Sequence, residues 1–206
     1  MLAMLAPPAL ALSAPITLAL RTLPRDGRRR LLAVVHTRFA RVTMFAPLVL
    51  VLEVGGMYAY YLTPLFADSH QHPWLHVAVH THMFLAGCLL SWCLVGRDPM
   101  PTRPSTRTSL IVLFLAGGSH DLLAKLMYAH LLPQGSGSAE QIHAGSQIMF
   151  YGGDAIELAL AVALLVPWYA RTGRQIARER RRTTAPTPRI EHTRSSTREV
   201  AAPAAR

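Results

Sequence analysis

The chain has 206 residues, 51 % of them apolar, yet it carries a formal charge of +10. Apolar runs and arginine-rich segments alternate along it, which excludes an ordinary water-soluble domain and points to a membrane. The arginines fall between the runs, so topology explains them without a nucleic acid partner, although clustered arginine can also neutralise phosphates.

In chain order, five runs are long enough to cross hydrocarbon of about 30 Å as helices rising about 1.5 Å per residue. They cover about 2–20, 42–62, 74–95, 108–131 and 145–169. Lipid offers backbone groups no other partner, so the expected fold is an all-α integral membrane protein, a bundle of about five transmembrane helices within residues 1–172. Pro7, Pro8 and Pro15 interrupt the first run and predict a kinked span. This run has no basic segment ahead of it and is not a removable leader, and a first helix that starts outside points to spans upstream of Met1. Arg21, Arg25, Arg28, Arg29, Arg30, Arg38 and Arg41 follow it, and Arg97, Arg103 and Arg107 follow the third run. The intervening stretches 63–73 and 132–144 hold no lysine or arginine. The positive-inside bias then predicts the N-terminus outside and the C-terminus in the cytoplasm. Residues 173–206 are expected to form a basic cytoplasmic tail, with Arg171 to Arg182 extending the last helix along anionic lipid and Thr183 to Arg206 disordered.

Ionisable groups in hydrocarbon cost about 2.5 to 3.5 kcal/mol each, so each needs a partner or a purpose. Glu53, His76, His80, His82, His120, Asp121, Lys125, Asp154 and Glu157 all fall in or at the edge of the runs. By the predicted topology they concentrate between the outer surface and the midplane. His76 and His80, four apart, share a helix face that continues through Met83, Gly87 and Ser91, while His82 lies about 200° round from His80 and meets a different neighbour. Asp121 and Lys125 are spaced as an i, i+4 ion pair, and Asp154 and Glu157 share a face. Imidazoles at i, i+4 can reach one ion if a facing helix supplies the rest, so His76, His80, His82 and His120 are the candidate metal ligands. Met83, Asp121, Lys125, Asp154 and Glu157 are the supporting groups. Histidines of this kind can also simply hydrogen-bond neighbouring helices, and His70, His72, His130 and His143 are read that way. Trp74, Trp92 and Trp168 are read as interfacial anchors, and Cys88 and Cys93 as packing residues. No phosphate loop, nucleophile elbow or catalytic triad context is present, which argues against a hydrolase or kinase.

The run from His76 through His80 and His82 to Gly87, followed by Trp92 and Gly96-Arg97-Asp98-Pro99, resembles the signature span of the CtaG family of bacterial cytochrome c oxidase assembly factors. Residues 4–21 resemble an internal span of that family, Tyr61-Leu62-Thr63-Pro64-Leu65 its second-span exit, and Gln147 to Asp154 its last-span motif. Family members carry further N-terminal spans, so by this resemblance the chain looks like a truncated member or one with a mis-assigned start. It implies a non-enzymatic, multi-pass protein of the bacterial cytoplasmic membrane, partnered by cytochrome c oxidase subunits and lipid, that holds or passes copper on the outer side. Two other functions stay open: a redox subunit with haem between histidines of different helices, and a proton or ion transporter using the buried carboxylates.

Overall fold

A computed structural model describes residues 2–134 and 136–184, with side chains from residue 6 to residue 181. The expectation of disorder for Thr183 to Arg206 falls, beyond Thr184, outside the described residues. The described residues up to Tyr169 form one compact unit, and those from Ala170 on belong to a second. All regular structure among the described residues is helical.

The first expected span is not a single helix. It divides into α1 (Leu2–Ser13) and α2 (Pro15–Thr22) around Ala14, which takes left-handed angles of φ 53° and ψ 57°. Pro15 has no N–H to donate and its ring disfavours a right-handed helical residue ahead of it, so the chain breaks there rather than kinks. The arginine-rich stretch read as a loop is also mostly helical, as α3 (Arg25–Val35) and α4 (Arg38–Thr43). Thr37 caps α4 by accepting from the Ala40 N–H at 3.2 Å. α5 (Ala46–Leu62) starts later than the predicted Val42, with Pro47 in its first turn. After Pro64 the chain turns by 75° into the short α6 (Leu65–Gln71).

α7 (Pro73–Val95) and α8 (Thr106–His130) lie within two residues of their predicted bounds, and α9 (Ala139–Thr184) runs on through the arginines expected to extend it. Among the described residues, α7, α8 and α9 are long and apolar enough to cross a membrane, and the bent α5–α6 pair makes a fourth if it counts as one span. Three or four such spans among the described residues stand beside the expectation of five. Phe114 is 77 % exposed, Leu158 68 % and Val77 64 %. Large apolar side chains left outward on long helices suit hydrocarbon, not water.

α1 packs along α7, and α5 lies against both α7 and α8. Two apolar clusters hold the bundle. One joins Ala11, Val49, Leu90, Cys93, Val112, Ala116 and Leu160 from α1, α5, α7, α8 and α9. The other joins Leu123, Ala124, Met127 and Met149, with Met57 and Tyr61 against it. Cys88 and Cys93 are free and buried, as packing residues are.

The loop after α7 carries a structural hub that sequence reasoning missed. Asp98 is 1 % exposed. Its Oδ1 accepts from the Thr17 N–H at 2.7 Å and the Thr17 hydroxyl at 2.8 Å, so it satisfies the first turn of α2. Its Oδ2 accepts from Trp92 Nε1 at 3.0 Å, which makes Trp92 a tie between α7 and this loop rather than a free interfacial anchor. Arg103 closes the turn by donating to the Gly96 carbonyl at 2.8 Å and the Asp98 carbonyl at 3.2 Å. The available signal was a lone carboxylate in a basic segment.

Candidate functional site

Between the two apolar clusters lies a polar layer. On α5, Glu53 follows Val49 of one cluster and precedes Met57 of the other. On α8, His120 and Asp121 stand between Ala116 and Leu123, and on α9, Asp154 and Glu157 stand between Met149 and Leu160. The sequence placed these groups at one level, and the packing brings several of them together.

The centre is a histidine–carboxylate contact with glycine seats on both sides. His120 Nδ1 lies 3.5 Å from Glu157 Oε1, with side chains 15 % and 27 % exposed. A Cβ at Gly153 would overlap the His120 ring, and a Cβ at Gly117 would overlap the Glu157 carboxylate. Each partner therefore rests on a glycine of the opposite helix, and the bare backbones let α8 and α9 approach closely enough for the pair to form. His82 repeats the device on the other flank. It points away from His80, as expected, and sits over α5, where a Cβ on Gly56 would overlap its ring and its Nε2 lies 3.3 Å from the Leu52 carbonyl oxygen.

Glu53 lies where α5, α7 and α8 meet, in electrostatic range of His120 and Cys88. Its Oε1 stands 4.0 Å from the Cβ position of Gly87, beside Pro7 of α1. Its Oε2 is buried without a hydrogen-bond partner among the described residues, and so is Asp121 Oδ1. Asp121 shares its surroundings with Asp154, Glu157, Lys125 and His120. The expected Asp121–Lys125 ion pair does not close within 4 Å among the described residues. Lys125 instead places Nζ 5.2 Å from the centre of the Phe150 ring on α9, a cation–π contact that holds its stem along the apolar cluster.

His76 and His80 form a separate, open group. Both are exposed, and their rings stack with centroids 4.1 Å apart and planes 31° from parallel. The α5–α6 bend adds a member that sequence reasoning set aside: His70, whose ring centroid is 5.8 Å from that of His76. Tyr60 stands beyond His80 at 6.0 Å. His80 Nδ1 lies 2.9 Å from the His76 carbonyl oxygen, and His70 Nδ1 lies 2.9 Å from that of Phe66. A carbonyl oxygen only accepts, so Nδ1 is the donor in each contact, and Nε2 is the ring nitrogen each side chain has left to offer a ligand.

The four predicted ligands thus divide: His76 and His80 stack in the open row, His82 of α7 rests against α5, and His120 pairs with Glu157. Among the described residues no three of His, Cys, Asp and Glu surround one ion position. Met83, on the His80 face, is half-buried, and lower on that strip Gly87 and the buried Ser91 serve helix packing.

Fold and site together define a class: an α-helical bundle with helices of membrane-spanning length, a half-buried histidine–carboxylate layer and an open histidine row. The family of cytochrome c oxidase caa3 assembly factors matches residues 1–171, and the chain belongs to it. Uncharacterized proteins of Mycobacterium bovis and Mycobacterium tuberculosis are each 35 % identical over 107 residues, covering 48 % of this chain and 16 % of theirs. One of Mycobacterium leprae is 27 % identical over 197 residues, covering 86 % of this chain and 30 % of its own. The chain therefore spans less than a third of the length of these curated relatives. No solved structure matches it.

Proposed function

We propose that this chain serves the assembly of a caa3-type cytochrome c oxidase in the bacterial cytoplasmic membrane, as a multi-pass, non-enzymatic protein that hands copper on from its outer side. Oxidase subunits are the partners in this reading, and the N-terminus lies outside with the C-terminus in the cytoplasm. Family membership supports the assembly role, and one structural observation carries the copper step: the stacked His76 and His80 rings, extended by His70. Backbone carbonyls engage Nδ1 of His70 and of His80, so Nε2 is the nitrogen each would offer to a metal. Few and exposed imidazoles hold copper labile enough to transfer, whereas a closed four-ligand site would retain it. His120 is partly enclosed and oriented by Glu157, and His82, though exposed, is held against α5 by its contact with the Leu52 carbonyl oxygen.

Two measurements test the two parts. Protein purified anaerobically from copper-supplied cells is expected to carry copper that a His76→Ala/His80→Ala variant loses, and equal copper in both ends the copper step. Oxidase activity in membranes of a deletion strain is expected to return with the unaltered chain and not with the double variant. Loss of oxidase with copper binding unchanged would leave the assembly role standing without this route.

A second reading has its own observation. Glu53 Oε2 and Asp121 Oδ1 are unpartnered within the polar layer, as groups on a proton path are. Proteoliposome proton flux that falls in Glu53→Gln/Asp121→Asn would support transport, and flux unchanged from protein-free vesicles would remove it.

A further inference from the structure

We propose that α3 and α4 form a binding surface for anionic phospholipid headgroups, laid along the bilayer where the chain enters α5. The inference rests on the reading of the later helices as membrane-inserted, and it concerns a segment to which the assembly role gives no task. From Arg21 to Phe45 there are seven arginines against one acidic residue, Asp26. Neither helix buries any residue in the bundle. Phe39 is 79 % exposed, Val34 63 %, and Val42 and Phe45 59 % each. Water suits the guanidinium groups but not this succession of bare rings and branched side chains, and a hydrocarbon interior suits only the latter.

The boundary between headgroups and acyl chains suits both. The apolar groups sink into it, while arginine stems run along the same surface and their heads reach phosphate. Position agrees as well, because Phe45 directly precedes α5, the first half of the bent pair that is apolar enough to span. An acidic soluble protein would answer the arginines but would leave Phe39 and Val34 in need of a second, apolar pocket.

The test uses the full chain and hydrogen–deuterium exchange read by mass spectrometry. Samples are nanodiscs of phosphatidylcholine alone, nanodiscs with phosphatidylglycerol added, and lipid-free detergent. Amides of residues 25–43 are expected to exchange about tenfold more slowly when phosphatidylglycerol is present. High salt and the Arg28→Gln/Arg29→Gln/Arg30→Gln variant should each reverse the slowing, because both weaken attraction to an anionic surface. Equal exchange in the two kinds of nanodisc, with α8 slow in both, would overturn the proposal and leave the membrane reading intact. Protection already complete in detergent would overturn it in favour of a protein surface over α3 and α4. Fast exchange of α8 in nanodiscs would remove the membrane reading and this surface with it.

Discussion

His120 and His80 are the same residue type in one bundle, in opposite situations. His120 is enclosed: it rests on Gly153, faces Glu157 and stands between two apolar clusters. His80 is open, stacked on His76, with only its Nδ1 engaged by the helix itself. A histidine that the packing is built around contributes to stability, and one that the packing leaves free can meet a ligand. Sequence spacing suggested one shared site, and helix packing separates the two roles.

The largest expected effect tests the enclosed side. Gly153→Ala puts a methyl into the His120 ring and should destabilise the protein by about 1–3 kcal/mol in detergent thermal unfolding. Gly118→Ala is its control: nothing lies within 4 Å of that Cβ position, so the substitution should gain up to about 1 kcal/mol from helix propensity. Similar losses at both positions would mean that the seats are not specific. Next comes Glu157→Gln, which removes the charge facing His120. The pair is at 3.5 Å and partly accessible, so the expected loss is about 1 kcal/mol, and a gain would contradict the role given to the pair. The smallest stability effect belongs to the open row, where His76→Ala/His80→Ala should change unfolding by less than about 0.5 kcal/mol per residue while removing bound copper. A large stability loss there would place these rings with the enclosed group.

The sequence made much of this legible wherever local pattern decides. α7 and α8 are continuous apolar runs with clear ends, and Ser105 caps α8 by accepting from the Thr108 N–H at 3.1 Å, so their bounds could be read directly. The i, i+4 spacing of His76 and His80 and the opposite heading of His82 follow from helical periodicity alone. The break at Ala14 was underestimated because three prolines in one apolar run do not say which of them ends a helix and which the helix tolerates; Pro7 and Pro8 are inside α1. His70 was missed because its place beside His76 depends on the 75° bend after Pro64, a tertiary feature. The glycine pairs announced close packing but not its direction. Gly56 and Gly117 seat side chains while Gly55 and Gly118 face open space, a difference set by the rotation of each helix against its neighbour. Lys125 lost its expected partner for a related reason, since a flexible stem reaches the Phe150 ring of another helix as readily as a carboxylate on its own.

The most direct test of the account is X-ray absorption at the copper edge of the full chain, purified anaerobically from copper-supplied membranes. The account predicts a copper shell of imidazole nitrogen that survives Glu157→Gln and disappears in His76→Ala/His80→Ala. A spectrum dominated by sulfur, or one unchanged by removal of both histidines, would contradict it.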